Sequence, residues 1–101
     1  MEPFILSIDA GTTGITVVII DKQTSIIKKY YSEFTQYYPQ SGWVEHDAEE
    51  IWTVTSKLIQ SAFNDFPSNN CMAIGITNQR ETTLIWDRET GKPIYNAIVW
   101  Q

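Results

Sequence analysis

Phe4-Ile5-Leu6-Ser7-Ile8-Asp9-Ala10-Gly11-Thr12-Thr13-Gly14-Ile15-Thr16-Val17-Val18-Ile19-Ile20 joins two apolar runs through a short stretch of small and polar residues. The second run is rich in β-branched side chains, so the segment reads as two strands with a tight turn between them. Gly11 and Gly14 are expected to supply backbone angles closed to other residues and to let main-chain N–H groups approach an anion. The hydroxyls of Thr12 and Thr13 would add donors. Asp9 would repel a bare phosphate and makes sense beside one only with a divalent cation between them, the carboxylate acting on Mg²⁺ directly or through water. The turn is not the lysine-bearing P-loop, which occurs nowhere in the chain. The plainer alternative is an ordinary hairpin with glycines for geometry and threonines for strand propensity.

A second stretch, Ile76-Thr77-Asn78-Gln79-Arg80-Glu81-Thr82-Thr83, ends an apolar run on adjacent charges of opposite sign. A guanidinium offers only donors and a carboxylate only acceptors, so Arg80 and Glu81 together can satisfy both halves of a hydroxyl, which suits a polyol. The alternative is a surface ion pair at a strand end.

Between these stretches, Ser25 to Tyr38 reads as a third strand region, with Ile26, Ile27, Tyr30, Tyr31, Phe34, Tyr37 and Tyr38 in imperfect alternation. Lacking interleaved basic residues beyond Lys28 and Lys29, these aromatics suit sheet packing better than base stacking. Pro39-Gln40-Ser41-Gly42 marks a turn. Asp47 is then a candidate N-cap, and Glu50 three residues on would complete a capping box. Ile51, Val54, Leu58, Ile59, Ala62, Phe63 and Phe66 follow at helical spacing until Pro67-Ser68-Asn69-Asn70 ends the helix. His46, flanked by Glu45 and Asp47, lacks convergent ligands, and a structural or loop-positioning role fits it better than a metal site. Trp43 and Trp52 read as packing anchors, Cys71 to Thr77 and Thr83 to Asp87 as strands, Asp87 to Lys92 as a hairpin turn, and Ala97 to Trp100 as a closing apolar run. The succession of three strands, a helix and more strands predicts an α/β domain of ribonuclease H-like type, a mixed sheet with a packing helix.

At 101 residues the chain is sized for one small domain, burying roughly two-thirds of its unfolded surface. Hydrophobic residues make up 43% and charged ones 19%, a globular composition that argues against extended disorder. A net charge of -5 disfavours nucleic acid as a partner, since such proteins usually present a basic face. No apolar run approaches the roughly 20 residues that span a bilayer, and no secretory leader pattern opens the sequence, so the expectation is a cytoplasmic protein without a membrane partner. The single cysteine, Cys71, agrees with a reducing compartment and reads as a buried strand-edge residue.

The Asp9-Ala10-Gly11-Thr12-Thr13-Gly14 turn, Gly42-Trp43-Val44-Glu45-His46-Asp47, the Asn78 to Thr83 stretch and the run from Gly91 to Gln101 together resemble the FGGY family of carbohydrate kinases, in particular its glycerol-phosphorylating members. The first motif by itself is shared with other ATPases of actin-like architecture, heat-shock chaperones included, and the Asn78 to Thr83 stretch separates them. The resemblance implies ATP-dependent phosphorylation of glycerol to sn-glycerol 3-phosphate, with ATP and Mg²⁺ as cofactors. Arg80 and Glu81 match positions that bind glycerol hydroxyls, and Trp100 matches an aromatic residue against the polyol's carbon skeleton. Gly11, Thr12, Thr13 and Gly14 match the turn facing the transferred phosphate, with Thr12 also near the substrate, and Asp9 matches the acidic residue associated with Mg²⁺. Many glycerol-phosphorylating members carry an Arg where this chain has Thr16, so one nucleotide-side contact is expected to differ. The resemblance further implies that residues 1–101 are the N-terminal part of the family's N-terminal domain, an incomplete unit without the C-terminal domain. The family's aspartate base lies outside this stretch, so no catalytic base is assigned within it, and the full-length protein is expected to be a homo-oligomer. The remaining alternatives are a pentulose or hexulose kinase of the same family, an inert polyol-binding fragment, and a chaperone-like ATPase domain.

Overall fold

The computed structural model describes residues 2–100. Six strands and one long helix follow in the order β1 (Phe4–Ala10), β2 (Gly14–Asp21), β3 (Ile26–Glu33), β4 (Val44–His46), α1 (Ala48–Asp65), β5 (Cys71–Thr77) and β6 (Ala97–Val99). The main sheet has the order β3-β2-β1-β5. Its first three strands form an antiparallel meander, while β1 and β5 run parallel. A parallel neighbour cannot be reached by a tight turn, and α1 lies in the crossover that brings the chain back. A second, two-stranded antiparallel sheet pairs β4 with β6.

Alternation along β1 and β2 decides which face carries the helix. Phe4, Leu6 and Ile8 are buried, as are Ile15, Val17 and Ile19, and the register sets Leu6 opposite Ile19 and Ile8 opposite Val17. Against this face α1 places Ala62, fully buried, with Ile51, Val54, Leu58, Ile59, Phe63 and Phe66 around it. All seven residues of the expected helical stripe therefore pack on the core. Phe66 meets Phe4 edge to face with ring centroids 5.9 Å apart, and Pro67 stops the helix just beyond. At the same end, Asp65 accepts hydrogen bonds from Lys28 (2.8 Å) and the Tyr30 hydroxyl (2.6 Å), tying β3 to the helix. Met72, Ile74 and Ile76 of β5 are exposed, because α1 covers the antiparallel part of the sheet and leaves this strand uncovered.

Several local expectations are corrected by tertiary context. Asp47 does cap α1, its Oδ1 accepting from the Glu49 amide at 3.0 Å. Glu50 does not return to the cap as a capping box would have it. Its Oε2 instead accepts from the Thr35 amide and hydroxyl, both at 2.9 Å, because the chain leaving β3 passes within reach. The third strand ends at Glu33, and only Tyr37 pairs again, in a single bridge to Glu45. Residues Thr83 to Asp87 form no strand: Thr83 bridges Ile98 and Trp86 bridges Pro93, with no continuous ladder between. The Asp87 to Lys92 turn forms as expected, with Asp87 Oδ1 accepting from the amides of Glu89 and Thr90 and Gly91 at φ +75°. Trp43 and Trp52 are not packing anchors among the described residues, being 51% and 67% exposed. Cys71 is half-buried at the start of β5, its thiol directed to the Ala73 carbonyl at 3.3 Å.

Candidate active site

Parallel pairing of β1 with β5 sets Asp9 beside Thr77, so both strands deliver their C-terminal ends to the same place. From there β1 runs into the Gly11 to Gly14 turn and β5 into the Asn78 to Thr82 loop. The C-terminal edge of parallel strands is where α/β sheets commonly build ligand sites, because loops leave there without obstructing the sheet. Thus the two stretches singled out in the sequence, nearly seventy residues apart, are brought together by topology.

The first turn is narrower than the sequence suggested. Neither Gly11 nor Gly14 has a positive φ; at Gly14, space and not dihedral freedom is what demands glycine. A Cβ on Gly14 would lie 2.7 Å from the Ser32 carbonyl oxygen and 2.5 Å from the Tyr31 hydroxyl, both far inside contact distance. The Gly11 amide donates to Gly14 O at 3.1 Å and closes the turn on itself. Thr12 and Thr13 stand exposed at the tip, and Asp9 is exposed at the end of β1 between Thr16 and Thr77 on the neighbouring strands. Asp9 takes part in no ion pair among the described residues. One exposed carboxylate is a donor compatible with Mg²⁺, which keeps most of its water and takes one or two carboxylates alongside phosphate oxygens.

Arg80 and Glu81 occupy the tight turn after β5 and are both exposed. Glu81 has φ +61°, a left-handed conformation uncommon for a residue with a side chain and concentrated at functional sites. Thr12, Thr13 and Trp100 share a cavity of about 450 Å³ with Gln36, Tyr38, Val44 and Val99. Arg80 and Glu81 are not on its wall, so the structure gathers the turn and Trp100 closely and sets the charged pair on the adjoining loop.

Two buried polar residues behind this surface carried no chemical role in the sequence. Glu45, 3% exposed, accepts from the Tyr95 hydroxyl at 2.8 Å and from Asn96 Nδ2 at 3.3 Å, and this hydrogen bond, ahead of desolvation, raises the Tyr95 hydroxyl above its ordinary pKa. His46 has no exposed surface and stands edge-on to Phe34, with Nε2 2.7 Å from Gln36 Oε1 and Nδ1 3.3 Å from Gln79 Nε2. Both ring nitrogens are thus engaged by side chains of the protein itself. Their partners lie 10 to 51 residues away, so no local pattern in the sequence announces them. Glutamines placed just before Arg80 and inside an aromatic stretch were the available signal.

Burial is the largest influence on the His46 pKa and pushes it below its ordinary 6.5, with the nearby charge of Glu50 opposing. The unfolded chain takes up a proton near 6.5 while the folded one does so only at lower pH, so the stabilisation is complete above that value and is lost as the pH falls below it through the folded pKa. In a full-length protein containing this segment, the thermal midpoint should drop between about pH 7 and about pH 5 by more in the parent than in His46→Gln, which cannot titrate there. Parallel curves for the two proteins would show that His46 contributes nothing to the acid limb.

Residues 4–101 match the N-terminal domain of the FGGY family of carbohydrate kinases, and the chain belongs to that family. Among the relatives, glycerol kinase from Leptospira biflexa is 56% identical over 100 residues, covering 97% of this chain and 20% of the relative. Among solved structures, the glycerol kinase of Plasmodium falciparum, crystallised with ADP, aligns with a TM-score of 0.88 at 40% identity over 98% of this chain and 20% of its own. Gluconate kinase from Lactobacillus acidophilus aligns with the same TM-score at 17% identity over 97% of this chain and 20% of its own, a likeness of fold alone. The mixed sheet with its packing helix is accordingly the ribonuclease H-like fold of the actin-like ATPase superfamily. The chain spans about a fifth of the length of the curated relatives it matches. Among the described residues no helix is long and apolar enough to cross a membrane.

Proposed function

We propose that this chain supplies part of the active site of an ATP-dependent kinase that phosphorylates glycerol to sn-glycerol 3-phosphate. The observation that carries this reading is the placement of the Asp9 to Gly14 turn and the Arg80–Glu81 turn at the C-terminal ends of two adjacent parallel strands. In this reading Arg80 donates to glycerol hydroxyls and Glu81 accepts from them, while the exposed indole of Trp100 lies along the carbon skeleton. Thr12 and Thr13 donate to the phosphate being transferred. Gly11 and Gly14 act by keeping the turn tight, since the Gly11 amide is already committed to Gly14. Asp9 holds Mg²⁺, which when bound neutralises charge on the phosphates. Phosphoryl transfer is chiefly positioning and charge neutralisation, and both tasks can be divided between two loops held at fixed separation. The general base and the second wall of the nucleotide cleft come from outside residues 1–101. Identity above 50% to glycerol kinases favours glycerol over pentuloses and hexuloses.

The test is ATP-dependent turnover by a full-length kinase containing this segment, offered glycerol, xylulose and gluconate separately and in competition. Glycerol should be preferred by on the order of a hundredfold in kcat/KM, because a loop built to pair hydroxyls discriminates strongly against a misplaced one. Equal or better turnover of either sugar substrate overturns the assignment.

A further inference from the structure

We propose that His46 is a positioning residue for phosphoryl transfer, fixing the Gly11 to Gly14 turn relative to the Arg80–Glu81 turn through Gln36 on one side and Gln79 on the other. The inference rests on the kinase reading above and adds to it a residue that touches neither substrate.

The geometry assigns every proton in the connection. Gln36 Nε2 lies 2.9 Å from the Thr12 carbonyl oxygen, and Gln79 Nε2 lies 3.0 Å from the Gly11 carbonyl oxygen. A backbone carbonyl only accepts, so each glutamine must present its nitrogen there, and both amide orientations are thereby fixed. Gln36 is left with its oxygen toward His46 Nε2 at 2.7 Å, which must carry the proton. Gln79 faces His46 Nδ1 with its nitrogen at 3.3 Å, so Nδ1 must be the bare acceptor. Finally the Thr82 hydroxyl donates to Gln79 Oε1 at 2.7 Å. Donation runs one way along the chain, from Thr82 to Gln79, His46, Gln36 and the Thr12 carbonyl, an ordering in which successive dipoles reinforce one another.

Position in the fold gives this relay its effect. Gln79 and Thr82 bracket Arg80 and Glu81, and Gly11 and Thr12 begin the phosphate turn, so the relay ends on the two loops whose spacing the reaction requires. His46 itself is held by β4 and by its edge contact with Phe34, 4.7 Å between centroids, and it has no exposure through which water could replace a lost bond. Displacement of a reacting group by about 1 Å costs on the order of a hundredfold in rate.

The experiment compares kcat, both KM values and the thermal midpoint of a full-length kinase containing this segment with those of His46→Phe, His46→Gln, Gln36→Leu and the His46→Phe/Gln36→Leu double variant. His46→Phe keeps a ring against Phe34 and removes both hydrogen bonds; kcat should fall by about tenfold or more with the KM values for glycerol and ATP within about threefold of the parent. His46→Gln retains one donor and one acceptor and should recover most of kcat. The double variant should be no slower than the worse single one, as expected of members of one chain. A lowered midpoint with parental kcat, a defect confined to KM, or a glutamine variant no better than phenylalanine each overturns the proposal. If His46→Phe does not fold, half-buried Gln36→Leu breaks the same chain and is held to the same kcat criterion. Nitrogen-15 NMR of the parent's ring should show the Nε2–H tautomer, and an Nδ1–H tautomer overturns the relay whatever the kinetics. A parent enzyme that fails to turn over glycerol removes the kinase reading beneath the proposal, and the tautomer then decides the relay by itself.

Discussion

Residues 1–101 on their own are expected to release no glycerol-dependent ADP above background, whereas a full-length kinase containing them turns over. A positioned general base contributes roughly a hundred- to ten-thousandfold, and loss of the facing wall of the cleft removes alignment as well. In the proposed reading, the carboxylates of the Asp9 to Gly14 and Arg80–Glu81 turns within residues 2–100 already have tasks: Asp9 beside the phosphates and Glu81 on a substrate hydroxyl. The buried Glu45 is committed to Tyr95 and Asn96, and the one histidine has both ring nitrogens engaged within the protein. A coupled ADP-release assay on the purified segment, with the full-length enzyme alongside, measures this directly. Glycerol-dependent turnover within a few-fold of the full-length rate would mean that residues 1–101 contain a general base of their own.

The second large effect concerns Arg80→Ala and Glu81→Ala in the full-length enzyme. Each should weaken glycerol binding by about 2–3 kcal/mol, or roughly thirty- to a hundred-fiftyfold, the range for a hydrogen bond to a charged group. Because both side chains are exposed, folding should be nearly untouched and the thermal midpoint should stay within about 2 °C of the parent. That separation of binding from stability makes the measurement decisive: calorimetric titration with glycerol giving parental affinity in either well-folded variant would remove that residue from the site. Glu81 offers a further contrast, since its φ of +61° suits glycine better than alanine. Glu81→Gly should therefore lose binding as Glu81→Ala does while holding the turn with less strain.

Strongly periodic segments were readable because burial alone determines them. The alternation of Phe4, Leu6 and Ile8, and of Ile15, Val17 and Ile19, requires one inward sheet face, and the stripe from Ile51 to Phe66 requires a helix lying across it. Thr83 to Asp87 has equal strand propensity yet forms only bridges, because a strand also needs a continuous neighbour and the local sequence does not name one. Glu50 satisfied the spacing of a capping box and was drawn instead to Thr35, fifteen residues earlier, a competition that no window along the chain can weigh. The candidate site divides the same way. Its Asp9 to Gly14 and Asn78 to Thr83 stretches were legible as chemistry, while the joint between them, built on His46, Gln36 and Gln79, depends on pairings across the fold.

Every member of that joint is uncharged: a hydroxyl, two carboxamides, a neutral imidazole and two backbone carbonyls. Attraction between ions weakens as dissolved salt gathers around them, whereas hydrogen bonds among uncharged, partly buried dipoles are much less screened. In the proposed kinase, the local field would change at each arrival and departure of a highly charged nucleotide and a divalent cation. Two loops spaced by ion pairs would be pulled differently at each of those moments and at each ionic strength. Spaced by neutral dipoles, they would keep their separation while the charges around them come and go.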